Sequence, residues 1–448
     1  LGNGRFGDAV VIDDAPTFTR RDAFDIRRLR LADLTGNGCP DLLYLDGDEL
    51  RWWHNLGGNR LRFGGVRRGV PSLDGLTDLR VLELYGDGRP VLVWSSAAPV
   101  AQGLAALPLT GEVQPGRLLE IDDGSGLKVR VHWSTSGQHM LRDLLEGGAW
   151  STHLPQHVPV VDRIELEDRL ARTLTTTVLR YRDGQLDSEA REFRGFGCVD
   201  QLDVEVTTDD PLAPTGVPRL TRTWQIVGAP DERRATCARA WDGGPLVGAP
   251  RVVGIDNPSL EGIRARRAVA GRPRRVEVYA APGGVPAAVP LEIRTWTWEA
   301  QAVGGDASPE ERPVRVIERE QVHAVHEGEA SDPRITRSLT VRVDDTGHPT
   351  LVARVAHARL HPDAPGQEAG GIELHESRVS HVDTDERFER AIPVESRTFE
   401  LLGLDPLTVT RHRLLAADVD LALAAPLAHH AAPGGAVVAR LAASFGAA

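Results

Sequence analysis

Cysteine is scarce in this sequence: Cys39, Cys198 and Cys237 are the three cysteines among 448 residues. Their number is odd and they lie far apart, so neither a disulfide framework nor the spacing of a metal site can be read from them. Free cysteine is one of the residue types most often found buried. We therefore expect thiols in the core or at strand edges, without a chemical role.

Long apolar runs and surplus positive charge are also missing. No stretch approaches the roughly 20 apolar residues that a membrane-spanning helix needs. The formal net charge is −12, and the arginines are interleaved with Asp and Glu instead of forming a basic patch. Because nucleic acids and anionic membranes are bound through clustered positive charge, we expect neither nucleic-acid binding nor direct membrane insertion.

Turn-forming residues, in contrast, are abundant. The chain contains 46 Gly and 30 Pro, which separate short runs rich in β-branched residues. Frequent turns between short strands are typical of all-β folds, and a chain of 448 residues can bury two or more hydrophobic cores. The expected fold class is mostly β.

The sequence starts inside a motif. Its first residues, Leu1-Gly2-Asn3-Gly4, contain neither an initiating Met nor a secretory signal pattern. We expect the chain to be an excerpt from a longer protein.

Residues 1–110 contain a degenerate repeat. A Gly-Asx-Gly turn occurs at residues 2–4, 36–38 and 86–88, and the two later copies continue into a proline and an apolar strand. Several short strands in a repeat of tens of residues are typical of β-propeller blades. The motifs resemble FG-GAP (VCBS-type) repeats, and this resemblance implies that residues 1–110 hold partial β-propeller blades.

The second copy of the repeat also suggests a cation site. In FG-GAP blades that bind Ca²⁺, oxygen-bearing side chains alternate along the loop, and Asp33, Thr35, Asn37 and Asp41 occupy those places here. Ca²⁺ takes roughly six to eight oxygen ligands and gains affinity with their charge, yet two of these four residues lack a carboxylate. Two interpretations stay open, a structural Asx turn and a weak Ca²⁺ site at Asp33, Asn37 and Asp41. In the third copy Val91 replaces the final acid, which indicates a loop without metal.

The most distinctive run is Arg191-Glu192-Phe193-Arg194-Gly195-Phe196-Gly197, in a region, residues 128–207, that is predicted to be antiparallel β throughout. Its two phenylalanines are three positions apart, which breaks the two-residue period of a strand. With glycines beside them, this spacing predicts a β-bulge or a kink. Upstream, Thr173–Tyr181 is rich in β-branched residues and leads into Arg182-Asp183-Gly184, which predicts a hairpin turn.

Further strands are predicted along the second half of the chain. Trp296 and Trp298 are expected on one face of their strand, because residues two apart point the same way. The predicted strands are Leu220–Trp224, Arg275–Ala280, Leu291–Glu299, Val314–His326, Ser338–Asp344, Thr350–Leu360 and Ile392–Leu401.

Two other segments precede the Arg191–Gly197 run: Leu141-Arg142-Asp143, and Trp150 followed by Leu154-Pro155. In this order the three motifs resemble the middle region of the insecticidal toxin-complex B component and its SpvB-like, Rhs-associated relatives. Three spaced motifs in one order are far more specific than a single loop signature. The Arg191–Gly197 run then serves as a packing and strand-bending element.

The resemblance implies a structural role. In that family the B component joins a C component to form a hollow β-shell around a cytotoxic C-terminal peptide, and a propeller docks on the pore-forming A component. We therefore expect a non-catalytic part of a B component, with partial propeller blades followed by antiparallel β-strips of an Rhs-type shell. The complex would be secreted, after a stage in the bacterial cytoplasm.

The resemblance also divides the chain. The implied parts are propeller blades in 1–110, a middle/N-terminal-type region in 111–227, a weakly matched β-rich connection in 228–335, a middle/C-terminal-type region in 336–410 and an Ala-rich tail in 411–448 that leads toward C-terminal repeats.

Two alternative functions stay open. SpvB-like proteins can carry an ADP-ribosyltransferase domain marked by an Arg, a Ser-Thr-Ser and a Glu-x-Glu, and this chain has Arg130, Ser134-Thr135-Ser136 and Glu165-Leu166-Glu167. These residues lie inside the middle-region pattern, so we expect no catalytic residue and no cofactor beyond the weak Ca²⁺ site. In this alternative the chain would be the non-catalytic delivery half of a toxin whose ADP-ribosyltransferase domain lies further along the protein. The other alternative is a Ca²⁺-dependent FG-GAP adhesin that uses the Asp33 loop.

Overall fold

The structure is a computed structural model of the chain. It has two compact units, Leu1–Gly148 with Pro155–Leu166, and Ala149–Leu154 with Glu167–Ala448. The residues that the structure describes are 7–12, 15–18, 24–57, 59–97, 103–111, 115–152, 154–155, 157–188, 190–210, 214–228, 240–241, 252–253, 260–303, 312–326, 330–362, 364–368, 370–384 and 387–400. Cys237 and the Ala-rich tail, residues 411–448, lie outside them.

The first unit begins with two antiparallel meanders. Small antiparallel meanders are the building units of propeller blades, and the assignment of blades to residues 1–110 stays a prediction. The first sheet, in chain order, consists of β1 (Leu29–Ala32), β2 (Asp41–Asp46), β3 (Glu49–Asn55) and β4 (Leu61–Arg68), and the second of β5 (Thr77–Leu82), β6 (Val91–Ser96) and β7 (Gly103–Pro108).

The two meanders share one hydrophobic core. Leu43 and Leu45 of β2 belong to the same buried cluster as Leu79 of β5 and Leu92 and Trp94 of β6. In β2 and in β6 these residues are two apart, so each strand presents one face to the cluster. Burial of this shared face stabilises both sheets.

The rest of the first unit contains a helix that the sequence analysis missed. Thr135 starts it, because the Thr135 hydroxyl accepts a hydrogen bond from the Gln138 amide at 3.3 Å, as an N-cap does. The prediction of strand throughout 128–207 is therefore wrong at this segment. No helix among the described residues is long and apolar enough to cross a membrane. The elements are β8 (Glu120–Asp122), β9 (Leu127–Thr135), α1 (Ser136–Leu145) and β10 (Pro159–Asp168).

The second unit is built around one large sheet. Its strands neighbour one another in chain order and are antiparallel, except for β14, which pairs in parallel with β16. The elements are β11 (Thr173–Asp187), β12 (Glu192–Thr207), β13 (Arg219–Gln225), β14 (Val252–Val253), α2 (Leu260–Ala268), β15 (Pro273–Ala280), β16 (Glu292–Ala302), β17 (Val314–Val325), β18 (Arg334–Val343), β19 (Pro349–Ala356), β20 (Gly371–Asp383) and β21 (Phe388–Glu400).

The strands predicted in the second half of the chain are confirmed as β13, β15 to β19 and β21, with ends that differ by a few residues. Trp298 is buried with Ala265 of α2 and with Val269, the residue after this helix, and Trp296 packs against the same cluster. The prediction that both tryptophans share a face is thus confirmed. Helix α2 packs on the side chains of Trp296 and Trp298.

The hairpin turn predicted at Arg182-Asp183-Gly184 is wrong. Strand β11 continues through this segment, with Gly184 opposite Phe196, and ends at Asp187. Asp183 has a left-handed φ of 53°, so the local signal produces a bend within the strand. Cross-strand pairing with β12 overrides the turn preference of the Asp-Gly pair.

Candidate functional site: the kinked strand at Arg191–Gly197

The Arg191–Gly197 run forms the first half of β12 and contains a β-bulge. Gln185 pairs with Gly195 and Leu186 pairs with Phe193, so Arg194 is the extra residue. Gly195 has a φ of +111°, a conformation that residues with a side chain rarely adopt. The predicted bulge is confirmed, and glycine is required at the position after the extra residue.

The extra residue of the bulge is held by a buried carboxylate. Arg194 Nη2 donates to Asp187 Oδ2 at 2.9 Å, and Arg267 of α2 donates to the same oxygen at 3.1 Å. The Asp187 side chain is 2% exposed. The hydrogen bond from the Ala190 amide, followed by those from Arg194 and Arg267, outweighs burial and lowers the pKa of Asp187 to about 2. Asp187 therefore ties the bulge to α2 through a permanent negative charge.

The phenylalanines of the run form an aromatic cluster. The Phe196 ring lies 4.8 Å from Tyr181, 5.2 Å from Phe193 and 6.1 Å from Trp150, measured between ring centroids. Edge-to-face and tilted pairs at these distances are favourable. Trp150, the first residue of the Trp…Leu-Pro motif, thus packs directly on the Arg191–Gly197 run.

The Trp…Leu-Pro motif also fits the bend in β11. A Cβ atom added at Gly184 would lie 2.5 Å from Leu154 Cδ1, so Leu154 fills the space that this glycine leaves. Next to it, the Ser151 amide and hydroxyl donate to Asp183 Oδ1 at 2.7 and 2.9 Å. The Thr152 hydroxyl donates to the Gly184 carbonyl at 2.8 Å. Trp150, Ser151, Thr152 and Leu154 therefore clasp the bend, which explains why the two motifs occur together.

A second buried carboxylate joins three strands beside the bulge. Asp200 of β12 accepts hydrogen bonds from Arg182 of β11 at 2.7 Å and from Arg222 of β13 at 2.7 and 3.0 Å. Burial alone would raise the pKa of Asp200, but the hydrogen bonds and charge of Arg222 and Arg182 outweigh it, and the pKa is lowered. On the same strand, burial raises the pKa of the Cys198 thiol to about 12. Cys198 is therefore a buried thiol that stays protonated at neutral pH, and the expectation of burial is confirmed for this cysteine.

A third buried carboxylate lies two strands further along the sheet. Glu277 of β15 accepts hydrogen bonds from Arg275 Nε at 2.7 Å, from the Tyr279 hydroxyl at 2.6 Å and from the Trp241 amide at 2.9 Å. Burial, followed by the hydrogen bond to Glu277, raises the pKa of Tyr279. The Arg275 guanidinium also donates to the Trp241 carbonyl at 2.9 Å.

These three carboxylate clusters have the properties of packing elements. General acid–base catalysis requires a group whose pKa lies near the working pH, whereas the pKa shifts here move Asp187 and Asp200 down and Cys198 and Tyr279 up. Each carboxylate is also saturated by donors of the chain itself. What this arrangement can do is hold neighbouring strands in one register around a bend.

Sequence reasoning found the run and the bulge but missed the buried ion pairs. Asp200 and Arg222 are direct cross-strand partners, but Arg182 pairs with Cys198, which lies two residues before Asp200 on β12. Arg182 and Arg222 lie 18 and 22 residues from Asp200 in the sequence, so no local pattern links them to it. An expected register of β11, β12 and β13 would have been needed to find them.

In the loop considered for Ca²⁺, backbone amides of the loop donate hydrogen bonds to the Asp33 carboxylate. Asp33 Oδ1 accepts hydrogen bonds from the amides of Thr35 at 3.2 Å and Gly36 at 2.7 Å, and Oδ2 accepts one from Gly38 at 2.9 Å. This is the geometry of an Asx turn. Each oxygen of the Asp33 carboxylate therefore already has a donor.

The other two candidate ligands have the same kind of partners. Asp41 accepts from the amides of Asn55 at 2.7 Å and Leu34 at 2.9 Å, and Asn37 Oδ1 accepts from the Cys39 amide at 2.8 Å. No group of three or more His, Cys, Asp or Glu side chains placed to hold a metal ion occurs among the described residues. This arrangement supports the Asx-turn interpretation, and Ca²⁺ binding at Asp33, Asn37 and Asp41 stays untested.

The residues considered for ADP-ribosyl transfer serve the local structure. The Ser134 hydroxyl donates to Gln138 at 2.7 Å, and Ser136 Oγ accepts from the Val158 amide at 2.9 Å. Arg130 lies 4.0 Å from Glu165 in a partly exposed ion pair. Glu167 pairs with Arg169, two residues further along the chain, at 3.4 Å. The Ser134 hydroxyl thus contacts the first turn of α1, and the Ser136 hydroxyl ties the start of α1 to the residue before β10.

The sheet and the motifs together define a class. A long antiparallel sheet in chain order, bent at a glycine-flanked bulge and joined by buried ion pairs, is a structural β module. Residues 54–216 match the model of the insecticide toxin TcdB middle/N-terminal region, and residues 264–397 match that of the TcdB middle/C-terminal region. The two matches together cover well over half of the chain, in the order that their names give. The chain therefore belongs to the family of proteins with the TcdB-type middle region.

Solved structures show the same fold. The crystal structure of TcdB2-TccC3 matches with a TM-score of 0.73 and 22% identity, over 86% of this chain and 20% of that one. The TcdB2-TccC3-Cdc42 crystal structure gives 0.72 and 22%, over 85% and 19%. A Tc holotoxin pore from Photorhabdus luminescens, with a substituted TccC3, gives 0.71 and 22%, over 89% and 20%. The chain thus spans about a fifth of the length of these relatives. No curated protein matches it.

Proposed function

We propose that the chain is a structural, non-catalytic part of the B component of a bacterial ABC-type toxin complex. The observation that carries the proposal is the clasp of Trp150, Ser151, Thr152 and Leu154 on the bend of β11 and the bulge of β12. These are the residues of the motifs that mark the family, and their roles are packing and strand bending. The titratable groups around them have pKa values shifted away from neutrality.

The proposed role of the large sheet is to form part of a shell around a cytotoxic C-terminal peptide. Strands that follow in chain order from β11 to β21 make a broad wall, and sheets with native twist curve as strands are added. The matched crystal structures contain TcdB2 together with TccC3. The proposed partner is accordingly a C component, which would complete the shell and carry the enclosed peptide.

The proposed role of residues 1–110 is to supply blades of a propeller that docks on the pore-forming A component. The four-stranded and three-stranded meanders with their common core support this role. A matched structure is that of a Tc holotoxin pore. The proposed location is accordingly extracellular, as part of a secreted complex, after assembly in the bacterial cytoplasm.

The proposal is tested by co-expressing the full-length protein with a C component from the same organism. We expect a stable complex in which the C-terminal segment of the C component resists protease until the complex is denatured. Trp150→Ala removes the clasp from Phe196 and should make that segment cleavable. Leu170→Ala, at a side chain that is 84% exposed, is the matched control and should leave the segment protected.

Two results would contradict the proposal. One is failure of the two full-length components to co-purify. The other is equal cleavage of the C-terminal segment with and without the protein that contains this chain.

A further inference from the structure

A histidine near the end of the described sheet uses both of its ring nitrogens to connect two backbone irregularities. His381 of β20 lies opposite a bulge in β21, where Ser380 pairs with Ile392 and Val382 pairs with Glu389. The amide of Ala391, inside this bulge, donates to His381 Nδ1 at 3.1 Å. Ala391 has a left-handed φ of 58°, so the bulge keeps a strained residue in place.

The other ring nitrogen reaches the turn after β18. His381 Nε2 lies 2.9 Å from Asp344 Oδ2. Asp344 Oδ1 accepts from the amides of Thr346 and His348, each at 2.9 Å. Burial would raise the pKa of Asp344, but its hydrogen bonds, led by those from Thr346 and His381, lower it. Asp344 is therefore a permanent acceptor.

These contacts leave one protonation state for the ring. A backbone amide can only donate, so Nδ1 must carry a lone pair, and a carboxylate can only accept, so Nε2 must carry the proton. The ring is therefore a neutral imidazole in which Nδ1 accepts a hydrogen bond and Nε2 donates one. Protonation of Nδ1 removes the acceptor for the Ala391 amide. The Nδ1–H and the Ala391 N–H groups then point toward each other. The same proton strengthens the contact with the Asp344 carboxylate.

We propose that His381 is a pH-sensitive latch that releases the β21 bulge on protonation while it stays attached to the β18–β19 turn. Imidazoles titrate near pH 6.5 in ordinary surroundings. The ring and the Asp344 carboxyl line a cavity of about 440 Å³, and the His381 side chain is 24% exposed, so water can deliver the proton. β21 is the last strand that the structure describes, and loss of the latch would loosen this strand first.

The charges around the cavity come from β18, β20 and β21, and Arg315 of β17 donates to the Asp344 carbonyl at 3.1 Å. Three arginines and two glutamates share its lining, with Arg397 paired to Glu395 at 2.6 Å, and Arg390 of the bulge pairs with Asp383 at 3.5 Å. The carboxylates offset much of the arginine charge, which leaves Asp344 as the charged group in direct contact with the ring, and the Thr346 hydroxyl lies 3.4 Å from the same ring nitrogen. The lining charges are Arg342 at the end of β18, Glu376 and Arg378 on β20, and Glu395 and Arg397 on β21.

Hydrogen–deuterium exchange of the intact protein tests the latch, on peptides covering residues 388–393 and corrected for the intrinsic pH dependence of exchange. We expect protection at Ala391 to fall by roughly thirtyfold between pH 8 and pH 5, because the neutral fraction of an imidazole with the ordinary midpoint near 6.5 falls by about that factor over this range. Protection of the Thr346 and His348 amides should stay constant or rise. This opposite response separates a latch from general acid destabilisation.

Variants at two positions complete the test. His381→Asn offers an acceptor that does not titrate, so the Ala391 protection should become independent of pH. Asp344→Asn removes the anion that favours the imidazolium, so the transition should move to lower pH. His375→Asn is the matched control, since His375 lies on the same strand and contacts Thr398 at 3.1 Å, and it should leave the transition unchanged. Constant wild-type protection across the pH range, or the same fall in His381→Asn, would overturn the proposal.

Discussion

Two parts of the large sheet are held together by opposite means. Around β11 to β13, carboxylates with little exposure, Asp187 and Asp200, bind arginines from neighbouring elements. Across β18 to β20 most buried side chains are apolar and form one cluster, which contains Leu339, Val341, Leu351, Ala353, Val355, Ile372 and Leu374. The buried charge of this part is Arg337 of β18, which pairs with Glu320 of β17 at 3.1 Å. The two parts have the same antiparallel topology, so backbone pairing alone does not require either solution.

The difference follows from what each part must do. An apolar cluster stabilises a sheet without selecting one register strongly, because burial is not directional. A buried ion pair costs much of its own attraction in desolvation, but it needs one geometry. The bulge of β12 and the bend of β11 lie directly beside the buried charges of Asp187 and Asp200. We infer that the ion pairs specify the register there, and the variants below test this comparison.

The largest effect is expected from removing a buried charge. Asp200→Ala leaves Arg182 and Arg222 without their common partner, and breaking a buried pair in this way costs about 3–5 kcal/mol in the free energy of unfolding. Urea denaturation of the full-length protein measures it. Asp209→Ala is the control: Asp209 and Arg172 are 74% and 72% exposed at 3.5 Å, and such a pair contributes about 0–1 kcal/mol.

The apolar part should lose slightly less and should lose it at every pH. Leu374 is 1% exposed in the β18–β20 cluster, and Leu374→Ala should cost about 3 kcal/mol, from lost burial and from the cavity that remains. Denaturation at pH 5 and pH 8 should give the same loss. A loss that varied strongly with pH would show that charges also hold this part of the sheet.

The bulge itself comes next. Gly195→Val meets no neighbouring atom within 4 Å, but the φ of +111° is unsuitable for valine, so we expect a loss of about 1–3 kcal/mol and less soluble protein. Gly216→Val has equal space and no such φ, and its effect should stay within about 0.5 kcal/mol. Normal stability and solubility of Gly195→Val would remove the strand-bending role from the Arg191–Gly197 run.

The smallest effect is the acid dependence of the charged part. The folded pKa of Asp187 is about 2, below the ordinary value near 3.9, so its carboxylate stabilises the fold above about pH 4. This contribution is lost as the pH falls from about 4 to about 2. Asp187→Asn should flatten the stability curve in this interval, and Asp209→Asn should not. An unchanged curve for Asp187→Asn would mean that the carboxylate is not held as described.

The sequence predicts those parts of the fold that depend on local chemistry. The strands of the second half follow from alternation and turn residues, and the bulge follows from two phenylalanines three apart with glycine beside them. Helix α1 was missed, because its N-cap Thr135 ends a β-branched strand and its apolar residues were assigned to a continuing strand. The Asp183-Gly184 signal was misplaced, since pairing with β12 decides where β11 ends.

The candidate site shows the same limit. The Arg191–Gly197 run and the Trp150…Leu154 segment are visible as separate motifs, whereas their contact depends on how β11 bends. The Asp200 ion pairs depend on the register of three strands. Such contacts are tertiary, and a single sequence contains no period or spacing that reports them.

The most direct test of the structural role is an electron cryomicroscopy map of the full-length protein bound to its C component. We expect strands β11 to β21 to lie side by side in the wall of a closed shell, with the density of the enclosed peptide on its inner side. A map in which these strands form a separate domain, with no enclosed space, would contradict it.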